Sequence, residues 1–368
     1  MAYMTNTLQG YSHDETTVRE DLSDIITILS PTDMPLWSIL AHVPIHQRQF
    51  DWSMDDIPFD ETIAGIASAT RTEGKDAIFP SPDHRSRIYN VAQINSLAWD
   101  IADTARVVDM AGVDDEFDYQ GLRKMLQLGR VMEYAAHFGT GVDAAAGDTQ
   151  SSTARVTEGL VNWIAKGGLH RTAGATSFTQ WTTTTGPTVT SDFFSTFYDA
   201  AGTDLSRTIL YNNILAPAWK AGFKPNGAIG LCGSKLKQFI TGFAIASGTD
   251  YVANDRNISA EARTLHDTID VVVTNLGTIY VNLDRYLDNT QNVSWTETSQ
   301  SPDVVTTSPV NEIMVMIEPR YWQLGILRPM GFKPLAPVGD STKGMLIAEW
   351  GLKALNPIAG CGGCNLVY

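Results

Sequence analysis

The longest continuous hydrophobic pattern in the chain lies between residues 114 and 139, and it has the period of an α-helix. It opens with acidic residues, which the positive end of a helix dipole favours, and it closes at Gly139, a residue typical of helix ends. Apolar side chains would cover more than half of the circumference: Leu122, Met125, Leu126, Leu128, Val131, Met132, Ala135, Ala136 and Phe138. The narrower polar ridge would hold Arg123, Gln127, Arg130, Tyr134 and His137. A helix of this length is roughly 35 Å long, and we expect it to be covered on two sides.

The pattern before this helix predicts an N-terminal arm followed by a long extended excursion. Residues 1–14 are polar and without periodicity, whereas residues 21–29 and 36–40 predict two short apolar-faced helices separated by a break at residues 30–33. From residue 47, apolar residues alternate with polar ones at Phe50 and Trp52, and a second extended run covers residues 85–101. Two short helices without a shared core need a partner surface.

The tract between the two extended runs has little apolar content and is far longer than a hairpin turn, so its tip is not expected to fold on its own chain. Its charged residues are either a solvated flap or contacts to a neighbouring molecule. The candidate contacts between subunits are Arg71, Glu73, Lys75, Arg85 and Arg87.

The second half of the chain predicts a mixed α and β unit and then a return sheet. Helices are expected over residues 191–203, 205–222 and 234–246, and strands over 228–232, 270–274 and 278–281, with an exposed polar loop over 289–309. Strands over 313–317, 321–327 and 345–355, separated by Pro329, Pro334 and Pro337, would form a sheet beside the long helix.

Composition narrows the function. The 368 residues are 43% hydrophobic and 18% charged, which is typical of a globular protein, and the formal net charge is −15. A net negative charge of this size argues against a protein that binds nucleic-acid phosphates through a basic face. There is no long apolar run and no signal peptide, and three cysteines are too few for a disulfide framework, so we expect a protein made in a reducing cytosol.

Candidate chemistry is sparse. Cys361 and Cys364 form the one redox-like or metal-like pair, but they follow a proline close to the C-terminus, and Cys232 is the only other cysteine. Pro44 breaks the helical face that His42 and His46 would need for a metal pair. No hydrolase, nucleotide-binding or metalloprotease motif is present. We therefore predict no enzyme, no cofactor and no metal site, and a flexible glycine-rich C-terminal tail.

Several motifs, in order, resemble one family of tailed-phage and prophage major capsid proteins. They are the block DLSDIITILSPTDMPLWSIL, Glu73-Gly74, Arg87-x-x-Asn90-x-x-Gln93, the long helix, Leu327-Arg328-Pro329, and Pro334-Leu335-Ala336-Pro337-Val338-Gly339-Asp340-Ser341-x-Lys343. The resemblance runs, with gaps, over nearly the whole chain.

What the resemblance implies is an α+β protein with the Hong-Kong-97-type capsid fold. Its parts would be an N-terminal arm (1–46), an E-loop (47–101), a P-domain with its spine helix (102–145), an A-domain (146–310), and P-domain return strands with a C-terminal tail (311–368). The implied function is an icosahedral shell of hexamers and pentamers in the virion of a tailed phage, assembled in the host bacterial cytoplasm. The shell would enclose double-stranded DNA without sequence-specific binding and without a membrane, and its other partners would be scaffolding, decoration and portal proteins.

Two alternatives remain open at this point. An encapsulin-type shell shares the fold but encloses a cargo enzyme, so the content of the particle distinguishes it from a capsid. A redox or metal protein using Cys361 and Cys364 would be a small oligomer with dithiol-dependent turnover.

Overall fold

The computed structural model describes residues 33–54, 70–71, 73–74, 76, 86–108, 112–142, 154–166, 170–171, 197–242, 270–297, 304–337 and 339–367. The chain divides into two compact units. The first comprises residues 1–32, 97–126 and 332–346, and the second comprises 33–96, 127–331 and 347–368. Among the described residues, no helix is long and apolar enough to cross a membrane.

The strands in chain order are β1 Ala41–Pro44, β2 Gln49–Met54, β3 Ser86–Val91, β4 Gln93–Ala102, β5 Thr140–Val142, β6 Val156–Glu158, β7 His170–Arg171, β8 Phe197–Asp204, β9 Ala228–Cys232, β10 Val271–Thr274, β11 Gly277–Leu283, β12 Asn292–Glu297, β13 Val304–Pro309, β14 Met314–Ile317, β15 Trp322–Leu335, β16 Ser341–Ala354 and β17 Gly360–Val367. The helices are α1 Pro35–Ile39, α2 Asp103–Val107, α3 Glu116–Phe138, α4 Leu160–Lys166, α5 Ala216–Ala221, which continues a π-helical segment Ile209–Leu215, and α6 Ser234–Gly242. Mixed helix and sheet content confirms the predicted α+β class.

The predicted long helix is confirmed as α3, which spans 23 residues. Asp115 caps its start, because the carboxylate Oδ1 accepts a hydrogen bond from the backbone N–H of Phe117 at 2.8 Å. The helix ends where Gly139 N–H donates to the carbonyl of Ala135 at 2.9 Å. A side chain at Gly139 would collide with the Ala135 and Thr157 carbonyl oxygens, so the sequence needs glycine there.

Only part of the apolar arc on α3 is covered within one chain. Leu128 and Met132 are buried, whereas Leu122, Met125 and Val131 keep 47%, 42% and 43% of their surface exposed. Three large apolar side chains exposed on one helix suit a surface that a further molecule covers.

The core of the second unit lies on a six-stranded sheet of order β10-β11-β9-β14-β17-β8. The π-helical segment, α5 and α6 pack on this sheet, since their apolar residues share one buried cluster with the strands: Leu210, Ile214, Leu215, Ala218, Leu236, Ile240, Ile279, Val281, Met314, Met316 and Cys361 among others. The predicted strand 228–232 is confirmed to the residue, and the hairpin predicted around residues 275–277 is confirmed as β10 and β11.

The predicted flexible C-terminal tail is wrong. β17 lies between β14 and β8, antiparallel to the first and parallel to the second, and Cys361 and Cys364 are fully buried. Glycines are needed because neighbours approach from several directions: a Cβ at Gly362 would lie 3.0 Å from the Phe197 ring, and one at Gly363 would lie 3.1 Å from Ile214. Close packing, rather than flexibility, explains the glycine content.

Three further expectations are corrected. The helix expected over residues 191–203 is replaced, in its described part, by strand β8, because Phe197–Asp204 pairs with β17 and tertiary pairing overrides local periodicity. The loop expected over residues 289–309 contains the antiparallel hairpin of β12 and β13. β15 continues through Pro329 and Pro334. Its pairing with β1 covers only Gln323 to Ile326, so these two prolines, which lack a backbone N–H, remove no hydrogen bond to β1.

The extended run expected over residues 85–101 is divided. β3 pairs with β2 and β7, whereas β4 belongs to a four-stranded sheet of order β1-β15-β16-β4. The N–H of Ala92 donates to the carbonyl of Arg48 at 2.7 Å, which continues the register of β2 and β3 by one residue, and β4 begins at Gln93.

Three aromatic rings form the centre of the first unit. The centroid of Trp99 lies 5.4 Å from that of Phe117 and 5.7 Å from that of Phe332. Gly344 makes room for them, because a Cβ there would lie within 3.0 Å of all three rings.

The short helix predicted over residues 21–29 lies outside the described residues, and the one over 36–40 is confirmed as α1.

Candidate assembly surfaces and a buried charged cluster

The base of the excursion is fixed by the side chain of Asn90. Its Nδ2 donates to the carbonyl of Leu352 at 2.7 Å and to that of Glu158 at 3.2 Å, and its Oδ1 accepts from the N–H of Glu158 at 3.0 Å. Gln93 continues the network, since its Oε1 accepts from the N–H of Thr157 at 3.2 Å. Both side chains are buried, so this motif anchors β3 and β4 to the body of the chain.

The tip of the excursion holds the predicted contact residues. Arg71 and Glu73 are exposed, and Arg71 donates to the carbonyl of Thr70 at 3.1 Å. Arg87 lies in β3, with its backbone opposite Ser53 and Arg171. Lys75 and Arg85 lie outside the described residues, and the role of the five residues stays a prediction.

A buried ion network holds β15 against β16. Glu349, 6% exposed, accepts from Arg328 at 2.8 Å and from Arg155 at 2.9 Å. Arg328 belongs to the Leu327-Arg328-Pro329 motif, which therefore supplies a structural ion pair between two strands. Two guanidinium groups around one carboxylate satisfy the charge of an acid that the fold removes from water.

A second cluster lies inside the second unit and joins three segments. Glu133 and His137 lie one turn apart on α3, and Asp284 caps the 3-10 turn Arg285–Leu287 that follows β11. Glu133 also accepts from the N–H groups of Leu36 at 2.6 Å and Trp37 at 2.9 Å, so it caps the start of α1. The cluster thus ties the N-terminal helix and the segment after β11 to α3.

The charge state of His137 follows from its neighbours. Burial alone would lower the pKa of this imidazole, but the carboxylates of Asp284 and Glu133 outweigh burial and raise its pKa to about 9. Sequence reasoning placed His137 on a polar ridge, which is wrong, because the side chain is 0% exposed. The i, i+4 spacing of Glu133 and His137 was the available signal, but nothing in the sequence points to Asp284 as their partner.

The three thiols have the chemistry of core residues. Cys232, Cys361 and Cys364 are buried, and burial raises the pKa of Cys232 to about 12 and that of Cys361 further. Neutral thiols of this kind are poor nucleophiles and poor metal ligands. Within the described residues, the one group of side chains placed to hold a metal ion contains no cysteine.

The architecture matches solved capsid structures over 94–98% of the chain. The capsid of the native GTA particle is 11% identical, with a TM-score of 0.55, over 98% of this chain and 99% of that one. The mature capsid of bacteriophage PhiM1 is 10% identical, with a TM-score of 0.52, over 94% and 91%. Gordonia phage Cozz gives 11% identity and a TM-score of 0.50 over 95% and 91%. These matches define the class of fold, which is the Hong-Kong-97-type capsid fold.

The particular family follows from the sequence. The chain belongs to the SU10 major capsid protein family, whose model matches residues 3–365. No curated protein matches the chain. It is a structural subunit that assembles with copies of itself into the capsid of a tailed phage, which confirms the resemblance and the function inferred from it.

Proposed function

We propose that this subunit builds its shell through two sets of residues that one chain leaves uncovered: the charged residues at the tip of the excursion and the exposed apolar residues of α3. The first carries the exposed charges of Arg71 and Glu73, and the second carries Leu122, Met125 and Val131. Charged and apolar contacts together give both register and affinity to an interface.

The excursion is the element that carries the proposal. β2 and β3 pair over six residues each, from Gln49 opposite Val91 to Met54 opposite Ser86, and buried Asn90 fixes this ribbon at its base. A ribbon that is anchored at its base and carries exposed charged residues beyond its paired part is suited to reach a neighbouring subunit. Lys75, Arg85 and Arg87 complete the proposed contact set. We also propose that the chain is organised in five parts, at residues 1–46, 47–101, 102–145, 146–310 and 311–368. Many modest contacts per subunit add up to a stable shell through avidity.

The shell encloses double-stranded DNA without reading its sequence. A net charge of −15 per chain disfavours the counterion-releasing contacts that would hold the DNA. DNA could then be packed by a motor and released later. Scaffolding, portal and decoration proteins are the expected partners, and the host cytoplasm is the expected place of assembly.

Electron microscopy of the purified full-length chain, alone and with a scaffolding partner, tests the proposal. We expect hollow closed particles of uniform size, and charge reversal of Arg71 or Glu73 should reduce their yield while the free subunit stays folded. Reversal of exposed Arg207 in the second unit is the matched control. Particles formed equally well by the Arg71→Glu and Glu73→Lys variants would remove the tip from the contact set. Particles that contain a cargo protein instead of DNA would indicate an encapsulin-type shell.

A further inference from the structure

Glu133, His137 and Asp284 place three metal-ligating side chains around one point in the interior of the second unit. Their ligand atoms all lie within 4.8 Å of one another. Nε2 of His137 is 2.7 Å from Oδ2 of Asp284 and 3.7 Å from Oε1 of Glu133. No side chain of the three is more than 1% exposed, so bulk water does not compete for these atoms.

The orientation of the short pair is not that of a hydrogen bond. Neither Nε2 of His137 nor Oδ2 of Asp284 has a hydrogen-bond partner among the described residues, although the two atoms lie 2.7 Å apart. In an ordinary N–H···O bond the hydrogen points towards the oxygen, and that alignment is missing. A cation with metal–ligand distances of about 2.0–2.2 Å can lie beside the pair and contact both atoms.

The charges also call for a cation. Two fully buried carboxylates carry two negative charges, and a protonated imidazole balances one of them. A neutral imidazole together with a divalent cation balances both, which matters because an uncompensated charge in a dry interior is costly. The N–H groups of Leu36 and Trp37 already stabilise Glu133, and an oxygen that accepts such a bond still has a lone pair for a metal.

We propose that Glu133, His137 and Asp284 bind a structural divalent transition-metal ion, and Zn²⁺, which accepts imidazole and carboxylate ligands, is the ion used to test this. One imidazole nitrogen with carboxylate oxygens is a donor set that Zn²⁺ accepts, whereas Mg²⁺ and Ca²⁺ prefer oxygen alone. The ion would join α3 to the turn after β11 and, through Glu133, to the first residues of α1. Its role is to lock these three segments together before and during assembly.

The metal content of the full-length chain tests this proposal. The chain is produced without a polyhistidine tag in zinc-supplemented medium, purified, dialysed into metal-free buffer and measured by mass spectrometry for transition metals. We expect one zinc ion per chain. Asp284→Asn and His137→Gln each remove a direct ligand and should retain less metal. We expect their metal affinity to fall by more than the ~10- to 100-fold that loss of an outer hydrogen-bond partner causes. His42→Gln, at an exposed histidine outside the cluster, should keep the full amount.

X-ray absorption at the zinc edge keeps the test decisive if a variant fails to fold. The wild-type chain should show nitrogen and oxygen neighbours at about 2.0–2.2 Å and no sulfur. Zinc below about one ion in ten wild-type chains would mean that the cluster is bridged by a proton alone, and would overturn the proposal. Sulfur neighbours would overturn it in favour of the cysteines, and equal metal loss in His42→Gln would overturn it in favour of surface binding.

Discussion

The side-chain amide of Asn90 donates a hydrogen bond to the carbonyl oxygen of Leu352 at 2.7 Å, which joins residues 262 positions apart. The same side chain bonds both the N–H and the carbonyl of Glu158, so one buried asparagine connects three distant segments of the second unit. The excursion therefore begins at a point that a buried hydrogen-bond network holds in place.

Replacing Asn90 by alanine should destabilise the subunit by about 2–5 kcal/mol, because buried backbone groups of Glu158 and Leu352 would lose their partners. Calorimetry of unassembled subunits would record this as a lower unfolding temperature. Asn282→Ala, at an exposed position of β11, is the control and should change it little. Equal stability of the two variants would show that water replaces Asn90 without cost.

Buried and exposed apolar positions of α3 should respond differently to the same substitution. Leu128 is 1% exposed, so Leu128→Asp would bury an unpaired carboxylate and cost at least about 3 kcal/mol. Leu122 is 47% exposed, so Leu122→Asp should leave the free subunit folded but reduce the yield of particles. Circular dichroism and particle counts by electron microscopy separate the two effects. Normal assembly of Leu122→Asp would show that Leu122 faces solvent in the shell.

The tightly packed glycines of β17 should not tolerate a methyl group. Gly362→Ala would push a Cβ into the carbonyl oxygen of Met314 and to 3.0 Å from the Phe197 ring, so we expect a loss of about 1–3 kcal/mol or more. Gly331→Ala in β15 is the matched control, because the nearest atom would lie 3.8 Å away. Thermal unfolding of both variants decides it, and an unchanged midpoint for Gly362→Ala would contradict the packing described for the strand.

Two ion pairs of the second unit should differ in importance. Glu349→Ala would leave Arg155, whose side chain is 14% exposed, without its carboxylate, and we expect a loss of roughly 3 kcal/mol. Arg285→Ala removes a pair with Asp33 in which both side chains are more than 60% exposed, and the loss should stay below about 1 kcal/mol. Denaturant unfolding of each variant measures these values. Similar losses would mean that the burial of Glu349 adds nothing to its pairing.

Assembly should strengthen as salt rises. Each chain carries a net charge of −15, and at 0.1 M salt the screening length falls to about 10 Å, which weakens repulsion between neighbouring subunits. Light scattering across a salt series should therefore show a lower subunit concentration for assembly at higher ionic strength. The opposite trend would indicate that attraction between opposite charges, such as those at the tip of the excursion, dominates the contacts.

Local patterns predicted those elements whose apolar residues keep one period and whose ends are marked. Asp115 caps the start of α3, Gly139 ends the helix, and a helical repeat of apolar residues lies between them. The hairpin of β10 and β11 turns at Gly277, which has φ +152°. β8 was missed because its pairing with β17 decides its conformation, and a strand that depends on a distant partner carries a weak local signal.

The sequence by itself determined the α+β class, the long helix, the acidic surface and the family, because periodicity, charge and motif order are properties of the chain. The tertiary structure alone decided which residues became the interior. It turned the glycine-rich end into an inner strand, the histidine of a supposed polar ridge into the centre of a buried cluster, and the Asn90 motif into an anchor. Each of these depends on groups far apart in sequence, such as Glu133 and Asp284, and the physical cost of burying their charges is set only when the fold brings them together.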